Sequence, residues 1–340
     1  MKIAINGLGR IGRAFLKLAY ERPEIEIVAI NDLADLDNLT YLLRYDSVYG
    51  RYHRKVIADK VAGILKIGEK SIKFFQEKDP MKLPWGSLGI DVVVEATGVF
   101  ETFEKSQVHI TAGAKRVVIS APCKDDDLSF KLGATVIMGV NDDDIKRAKI
   151  TSNGSCTTNA VAPAVAILSE TLGIKKAILN TTHAYTASQK IVDGPDAKDW
   201  RRGRAGAINL IPSTTGAAVT VSKVIKELDG LFDGISVRTP VAIVSLADIT
   251  FISKRPTSIE EISQIFKNAA SNPRWKGIFK AVDEQVVSTD LLGEIYPSIA
   301  DLSFIKVVGG DLVKVLIWYD NEWGYSASLV NHVLKTGLSL

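Results

Sequence analysis

The chain has 340 residues, of which 46% are hydrophobic and 24% charged, and its formal net charge is +3 at pH 7. This length is enough for one large hydrophobic core or two ordinary ones, and the mild charge, without a block of Lys and Arg, argues against a dedicated nucleic-acid binder. No apolar run approaches the roughly 20 residues that span a bilayer. The first residues enter a strand pattern at once, which leaves no room for a signal peptide. Only two cysteines occur, so we expect a cytoplasmic protein with free thiols.

The first half of the sequence alternates short β-branched segments with segments of helical periodicity. Lys2–Asn6 predicts a strand, and apolar residues then recur at helical spacing from Ile11 until Pro23. Further strands are predicted by nearly continuous apolar runs, as expected where both faces are buried, at 26–31, 91–96, 116–120 and 135–140. This alternation predicts a Rossmann-type, doubly wound parallel sheet of the α/β class.

A glycine-rich turn follows the first predicted strand. Gly7, Gly9 and Gly12 form a GxGxxG pattern between a strand and a helix, which is the context that a dinucleotide site requires. There Gly7 allows the tight turn, Gly9 the close approach of a pyrophosphate, and Gly12 the packing of helix on sheet. Asp32 ends the second strand, where a carboxylate binds ribose hydroxyls and repels a 2′-phosphate. We predict an NAD site, with a plain tight turn and an exposed aspartate as the alternative.

A cysteine among small hydroxylic residues opens the second half. Cys156 lies in NGSCTTN at 153–159, just before an apolar run with helical spacing. A thiol at a helix N-terminus loses its proton more readily, and together with His183 it predicts a nucleophile and its base. The alternative is a buried, inert thiol, which is our interpretation of Cys123. The other three histidines, His53, His109 and His332, are interpreted as structural. No metal site is predicted, because the cysteines and histidines lack the spacing of metal ligands.

After about residue 150 the predicted strands are longer and crossovers fewer. Helices are predicted at 160–172, 215–228 and 321–338, and strands at 176–182, 237–253 and 306–319, the last broken by a turn at 309–311. A polar segment at 186–207 has no regular pattern, and a segment of that length is more often functional or disordered. This half predicts an α+β domain with a mostly antiparallel or mixed sheet.

Together these motifs resemble the phosphorylating glyceraldehyde-3-phosphate dehydrogenase family from end to end. The matching segments are INGLGRIGR (5–13), VAIND (28–32), EATGVF (95–100), SAPCKDD (120–126), SCTTN (155–159), HAYT (183–186), DGPDAKDWRRGR (193–204), IPSTTGAA (211–218), VRTP (237–240) and YDNEWGYS (319–326). The resemblance implies an NAD-binding domain over 1–153, completed by the C-terminal helix 321–340, and a catalytic domain over 154–320. It also implies a homotetramer, with the 186–207 segment near a subunit interface.

The resemblance further implies roles for individual side chains, with Cys156 as the nucleophile and His183 as its base. Residues implied to bind the substrate or inorganic phosphate are Ser155, Thr157, Thr186, Arg201, Thr215, Gly216 and Arg238. Of these, Thr186 and Arg238 match the site for the substrate's own phosphate, Arg201 matches a further substrate-binding arginine, and the others match the site for inorganic phosphate. Residues implied to bind NAD are Asn6, Gly7, Gly9, Arg10, Ile11, Gly12, Asp32, Lys78, Ser120, Asn321 and Tyr325.

The predicted activity is NAD-dependent oxidation and phosphorylation of D-glyceraldehyde 3-phosphate to 1,3-bisphosphoglycerate, through a cysteine hemithioacetal and thioester, as in glycolysis or gluconeogenesis. One alternative is erythrose-4-phosphate dehydrogenase, whose phosphate-site segments usually differ from HAYT and STTGAA. A second is a semialdehyde dehydrogenase, against which the arginine and threonine anion sites argue. A third is a non-enzymatic binding or redox-sensing protein on the same fold, against which the cysteine–histidine pair argues.

Four positions depart from the family pattern. Ala160 stands where many members carry a second cysteine, four residues after the nucleophile, so an internal disulfide is unavailable. Lys78 stands where a cofactor-contacting arginine is common; it keeps the positive charge but lacks the planar guanidinium group. Thr239 follows Arg238 in place of the usual valine, and Cys123 replaces a residue that is often serine or alanine. These departures bear on cofactor affinity rather than on reaction class.

Overall fold

The computed structural model describes residues 1–125 and 132–340, which divide into two compact units. The first unit comprises Met1–Val136, Asp142–Gly154 and Leu329–Leu340, and the second comprises Ile137–Asn141 and Ser155–Ser328. Asp126, the last residue of the SAPCKDD segment, lies outside the described residues.

The first unit is built on a nine-stranded sheet, counted over the residues described, with the order β10-β11-β9-β8-β1-β2-β7-β6-β5. The nine strands are β1 Lys2–Asn6, β2 Glu26–Asn31, β5 Val56–Asp59, β6 Ile64–Ile67, β7 Lys70–Phe75, β8 Val92–Glu95, β9 Arg116–Ile119, β10 Ala134–Thr135 and β11 Ile150–Ser152. Two further strands, β3 Tyr45–Asp46 and β4 Gly50–Arg51, pair antiparallel in a small sheet of their own. Its helices are α1 Arg10–Tyr20, α2 Leu36–Arg44, α3 Trp85–Leu88 and α4 Phe103–Thr111. Strands β10 through β7 run parallel, whereas β6 and β5 pair antiparallel. The predicted doubly wound parallel sheet is therefore confirmed.

Successive residues of β1 face opposite sides of this sheet, and both sides are covered. Ile3 and Ile5 pack in one buried cluster with Phe15 of α1. Ala4, between them, belongs to a second buried cluster that contains Trp85 of α3. Burial on both faces explains why this strand reads as an almost unbroken apolar run.

The second unit is built on a seven-stranded mixed sheet, counted over the described residues, with the order β13-β14-β12-β15-β18-β17-β16. Its strands are β12 Ile174–Ala184, β13 Ile211–Thr214, β14 Phe232–Thr239, β15 Ser245–Ser253, β16 Phe279–Val282, β17 Ser298–Val308 and β18 Leu312–Tyr319. Its helices are α5 Cys156–Thr171, α6 Ala217–Val224, α7 Ile259–Ala270 and the first part of α8 Trp323–Leu338. The pairs β12–β14 and β16–β17 are parallel and the others antiparallel, which confirms the predicted mixed sheet.

Short 3-10 helices complete both units. They lie at Pro80–Lys82, Asp142–Arg147, Trp200–Gly203, Lys226–Leu228, Pro273–Trp275 and Ser288–Leu291. No helix in the part of the chain that the structure describes is long and apolar enough to cross a bilayer.

The boundaries of the units differ from the predicted 1–153 and 321–340. The division falls inside α8, after Ser328, whose hydroxyl donates to Asn159 Oδ1 at 2.7 Å within the second unit. The residues that follow, Leu329, Val330 and Val333, pack into the core of the first unit. Only this last part of the helix therefore belongs with the parallel sheet.

Two predicted strands are shorter than their apolar patterns suggested. The run at 135–140 pairs only through Ala134–Thr135, because the chain then turns at Gly139, whose φ is +79°. A Cβ at that glycine would lie 2.9 Å from the ring of Trp275. The run at 237–253 is split between β14 and β15, since Pro240 has no N–H and Val244 has a φ of +66°. Among described residues other than glycine, Val244 alone has a positive φ.

A histidine of α8 is fully buried in the first unit. His332 Nδ1 lies 3.0 Å from Asn153 Oδ1, and Nε2 lies 2.8 Å from Thr151 Oγ1. The amide oxygen can only accept, so Nδ1 carries the proton and Nε2 accepts from the threonine hydroxyl. The neutral imidazole therefore connects α8 to β11 and to the residue that follows it.

This burial predicts a loss of stability in mild acid. Burial lowers the pKa of His332 to about 3, from an ordinary 6.5. Below pH 6.5 the unfolded chain binds a proton that the folded chain does not, so the free energy of unfolding falls by up to about 1.4 kcal/mol per pH unit for this group. We expect His332→Gln to be less stable at pH 7.5 but to lose stability less steeply between pH 6.5 and 5, which urea titrations at each pH would measure. The exposed His53, replaced by Gln, is the control, and an unchanged slope for His332→Gln would contradict the prediction.

Candidate active site

The glycine-rich turn joins β1 to α1 at the carboxyl edge of the parallel strands. Gly7 has a φ of +97°, and a Cβ on it would lie 2.7 Å from the backbone of Ala96 and Thr97. A Cβ on Gly12 would lie 2.1 Å from the carbonyl oxygen of Gly7, so only glycine lets the helix pack this closely. A Cβ on Gly9 would meet nothing within 4 Å, which leaves space above the N-terminus of α1. The turn therefore fits the pyrophosphate of a dinucleotide.

Asp32 directly follows β2 and organises the same edge. Its Oδ2 accepts a hydrogen bond from the Leu8 N–H at 2.6 Å, and its Oδ1 accepts from the Ala34 N–H at 2.8 Å. The side chain is half-buried at the point where the ribose of an adenosine would lie. A carboxylate in this place suits ribose hydroxyls and opposes a 2′-phosphate.

Four more residues predicted to contact NAD lie along this edge. Arg10, the first residue of α1, forms an ion pair with Asp46 at 2.8 Å. Lys78 is exposed in the loop after β7. Ile11 is half-buried in α1, and Ser120 directly follows β9. Their contact with NAD stays a prediction.

Asn6 differs from the other predicted NAD contacts, because its side chain is used within the protein. The residue is 1% exposed. Its Nδ2 donates to Glu95 Oε2 at 2.6 Å, and its Oδ1 accepts from Asn31 Nδ2 at 2.8 Å. This amide therefore shapes the edge rather than presenting itself to a ligand.

The two remaining predicted NAD contacts, Asn321 and Tyr325, lie in the second unit and are buried. The Ser245 hydroxyl donates to Asn321 Oδ1 at 3.0 Å and accepts from the Ala184 N–H at 3.1 Å. Ser245 follows the strained Val244 in the chain, so the backbone bend places this hydroxyl between Asn321 and the strand that carries His183.

Cys156 is the first residue of α5, four residues earlier than the predicted helix start. Ser155 precedes it as the N-cap, and its Oγ accepts from the Thr158 N–H at 3.0 Å. The half-buried Cys156 places its Sγ 3.4 Å from Nε2 of His183, near the end of β12. The structure thus brings together the two side chains that the sequence singled out.

His183 is held in a neutral form. Its Nδ1 has two neighbours: the Ala184 carbonyl oxygen at 2.7 Å, which can only accept, and Nη1 of Arg238, which can only donate. When the imidazole proton is on Nδ1, it is directed at the carbonyl oxygen and the Nε2 lone pair faces the sulfur. Burial and the positive charge of Arg238 lower the pKa of His183 to about 3. A neutral imidazole aimed at the reacting sulfur is suited to accept a proton.

Two opposing effects act on the Cys156 thiol. Burial is the larger effect and raises the pKa of the thiol above its ordinary value, whereas the charge of Arg238 and hydrogen bonds from Thr157 act to lower it. The lowered pKa expected from the helix N-terminus alone is therefore not what this site gives. Arg238 lies on β14, in parallel register with His183 on β12. The strand pairing therefore holds a cation near both Cys156 and His183.

Removal of this cation is expected to make Cys156 harder to ionise. In Arg238→Leu the thiolate loses a favourable charge, so the pH midpoint of its alkylation by iodoacetamide should rise by about one unit. This midpoint is measured by mass spectrometry of the Cys156 peptide, as the extent of its alkylation at each pH. Arg201→Leu is the matched control, because Arg201 pairs with Asp199 on the surface, and its midpoint should stay at the wild-type value. A midpoint that does not move, or falls, in Arg238→Leu would be inconsistent with this role.

The sequence missed Tyr319, the last residue of β18. Its buried hydroxyl lies 2.9 Å from Thr157 Oγ1 and 2.8 Å from Thr181 Oγ1. Its ring packs edge-on against His183, with 6.0 Å between ring centres. Tyr319 is the first residue of the YDNEWGYS segment, which was the only signal that pointed to it.

Thr239, a departure from the family pattern, also contacts the base. Its hydroxyl donates to the carbonyl oxygen of His183 at 3.2 Å, a bond that valine cannot make. This threonine therefore adds a contact between β14 and β12.

The structure separates the two arginines that follow Trp200. Arg201, predicted to bind substrate, is exposed and bonds Asp199 through Nε at 3.0 Å. Arg202 instead donates from Nε and Nη2 to Ser213 Oγ at 2.9 and 2.7 Å, and its charge acts on Arg238. The prediction for Arg201 does not match this placement, since successive residues of a 3-10 helix point about 120° apart.

Thr215 and Gly216 lie at the N-terminus of α6. Thr215 Oγ1 accepts from the Ala217 N–H at 3.2 Å, and a Cβ on Gly216, the N-cap, would meet nothing within 4 Å. Thr186, the last residue of HAYT, is half-buried, and its hydroxyl lies 2.9 Å from Ser188 Oγ. Hydroxyls and an open helix N-terminus are suited to anions.

Comparison with known proteins agrees with these features. The family model of the glyceraldehyde 3-phosphate dehydrogenase NAD binding domain matches residues 1–103, and that of the C-terminal domain matches residues 155–321. Glyceraldehyde-3-phosphate dehydrogenase 2 of Streptomyces arenae is 42% identical over 100% of this chain and 99% of its own. The enzymes so named from Eremothecium gossypii and Shimwellia blattae are 43% and 44% identical, over 98% of this chain and 98% and 99% of theirs. The chain therefore belongs to the glyceraldehyde-3-phosphate dehydrogenase family, with NAD as its cofactor.

Proposed function

We propose that this protein catalyses the reversible, NAD-dependent oxidation and phosphorylation of D-glyceraldehyde 3-phosphate to 1,3-bisphosphoglycerate. The observation that carries the proposal is the pairing of Cys156 Sγ with His183 Nε2 at 3.4 Å, at the N-terminus of α5. The family membership supports the same reaction.

In this reaction Cys156 attacks the aldehyde carbon, and His183 transfers the proton. The sulfur attacks the aldehyde carbon and forms a C–S bond, while its proton passes through His183 to the former carbonyl oxygen, which yields a hemithioacetal. His183 then takes the proton back from that hydroxyl as hydride leaves the carbon, and the C–S bond remains in a thioester. NAD, when bound, supplies the acceptor for this hydride.

Inorganic phosphate completes the reaction at the same sulfur. A phosphate oxygen attacks the thioester carbon, the C–S bond breaks, and His183 returns its proton to the departing thiolate. The product is an acyl phosphate, which retains the free energy of the oxidation. The thioester still carries the substrate's own phosphate when inorganic phosphate attacks, so two anions must be bound at once. Donors for them are supplied by Arg238, Arg202, Thr186 and the N-terminus of α6.

Steady-state formation of NADH tests this proposal. With glyceraldehyde 3-phosphate we expect turnover that requires inorganic phosphate and stops when phosphate is omitted. A preference for erythrose 4-phosphate would instead assign the protein to the alternative dehydrogenase. Absence of turnover with any aldehyde, from protein that binds NAD, would favour a binding protein.

We propose that a second copy of the chain covers an apolar surface on the second unit and that the assembly is a homotetramer. Ile191, Val192, Trp200, Ile208 and Leu210 are each between 70% and 89% exposed. These five exposed apolar side chains belong to one segment of the chain, 191–210, and exposed apolar surface of this kind marks sites of protein–protein contact. Light scattering should give four times the mass of one chain, and Val192→Asp should reduce it. A monomer at micromolar concentration would exclude this assembly.

We infer a cytoplasmic location, where glycolysis or gluconeogenesis would use this reaction. The free thiols Cys123 and Cys156 support a reducing compartment. Cell fractionation with an antibody against the protein tests the location.

A further inference from the structure

A buried carboxylate lies beneath the nucleotide-binding edge of the first unit. Glu95 is the last residue of β8 and is 2% exposed. Its Oε1 accepts from the N–H of Thr97 at 2.8 Å and from the Thr97 hydroxyl. Its Oε2 accepts from Asn6 Nδ2 at 2.6 Å and from His109 Nε2 at 3.0 Å. Four donors thus converge on one carboxylate, which is the arrangement that satisfies a buried acceptor.

The role of His109 as a donor is determined by its other neighbour. Trp85 Nε1 lies 3.2 Å from His109 Nδ1, and an indole nitrogen can only donate. Nδ1 therefore accepts, and the proton of the imidazole is on Nε2, directed at Glu95. Trp85, His109 and Glu95 form a chain in which the direction of each hydrogen bond is fixed.

The same chain continues to the loop that carries Lys78. Asn6 accepts from Asn31 Nδ2 at 2.8 Å, and Asn31 sits at the end of β2. Asn31 Nδ2 also donates to the Glu77 carbonyl at 3.0 Å, and Asn31 Oδ1 accepts from the Glu77 N–H at 2.9 Å. One amide thus holds the Glu77 peptide on both sides, directly before Lys78.

The network therefore joins four segments that meet where a dinucleotide binds. They are the ends of β1, β2 and β8 and the loop after β7, all at the carboxyl edge of the parallel strands. Glu95 also fixes Thr97, whose backbone closes against Gly7. The side chains of Glu95 and His109 are buried and cannot reach a ligand themselves.

We propose that Glu95 and His109 are positioning residues for NAD, which act through Asn6, Asn31 and Thr97 on the glycine-rich turn and on the Lys78 loop. This inference rests on NAD binding by the first unit and assigns His109 a function beyond filling the core. Loss of either residue should loosen the nucleotide edge without altering Cys156 or His183.

Calorimetric titration of the full chain with NAD and with ADP-ribose tests the proposal. In Glu95→Gln, an amide nitrogen, which can only donate, replaces one of the carboxylate oxygens that accept hydrogen bonds. In His109→Leu, the Trp85 indole loses its acceptor and Glu95 loses one of its donors. We expect both variants to bind NAD and ADP-ribose about tenfold more weakly. Their kcat at saturating NAD and their KM for the aldehyde should stay within about twofold of wild type, whereas KM for NAD rises in parallel with the dissociation constant.

Two further variants separate positioning from general destabilisation. His109→Gln can donate through its amide nitrogen and accept through its oxygen, so NAD affinity should return to within about threefold of wild type. Ser106→Ala removes another buried hydrogen bond of α4, to the Phe100 carbonyl, and should leave NAD affinity unchanged. Wild-type affinity in Glu95→Gln and His109→Leu, or an equal loss in Ser106→Ala, would overturn the proposal. Wild-type protein that binds no NAD would instead remove the cofactor assignment on which it rests.

Discussion

Replacement of Cys156 by serine is expected to reduce phosphate-dependent NADH formation by about 10⁴-fold or more, as removal of a covalent nucleophile does in other enzymes. Serine keeps the size of the side chain and its place at the start of α5. Its hydroxyl, however, ionises far less readily than a thiol beside Arg238, and an ester stores less free energy for phosphate attack than a thioester. Initial rates with glyceraldehyde 3-phosphate, NAD and phosphate give the comparison.

The control for this variant is the other cysteine. Cys123 is buried in the first unit, away from the described contacts of His183, so Cys123→Ser should retain most of the activity. Cys156→Ser should still bind NAD, because the nucleotide edge lies in the first unit. Activity of Cys156→Ser above about a tenth of wild type would refute the covalent mechanism.

The second large effect is expected for His183→Asn, which should lower kcat by roughly 10²–10⁴-fold, the usual contribution of a general base. Asparagine can still bond the Ala184 carbonyl, but it presents no imidazole lone pair to the substrate hydroxyl. Because the pKa of His183 is held at about 3, protonation of this base should not reduce wild-type activity as the pH falls from 7 to 5.

Pre-steady-state kinetics would show which step is lost. In His183→Asn we expect the first equivalent of NADH to form as slowly as NADH forms in the steady state, because removal of the hydroxyl proton accompanies loss of hydride. A fast first turnover followed by a slow steady state would instead assign His183 to the phosphorylation step alone. Wild-type rates in both phases would eliminate it as the base.

The sequence located the chemistry well but not the side chains that support it. Cys156 and His183 stand in distinctive surroundings, so their residue types alone suggested a nucleophile and a base. Tyr319 could not be found in this way, since its contacts with Thr157 and Thr181 depend on strand order rather than on spacing. Arg201 and Arg202 are neighbours of the same type, and only the 3-10 helix that holds them decides which one faces Ser213.

The fold showed a similar contrast. The parallel sheet of the first unit was predictable because strands buried on both faces leave nearly continuous apolar runs. The division of 237–253 into β14 and β15 was not, since a valine in the left-handed region leaves no mark in an apolar pattern. The network around Glu95 was equally hidden, because a buried charge and a surface charge look alike in sequence.

The shared helix α8 has a consequence for biosynthesis. Leu329, Val330 and Val333 complete a core whose other members all lie before residue 119. A ribosome reaches these three residues only after it has made the segment Ser155–Ser328 of the second unit, so the first unit lacks part of its apolar packing until then. During that interval the nascent chain exposes hydrophobic surface of the parallel sheet, which chaperones would have to shield.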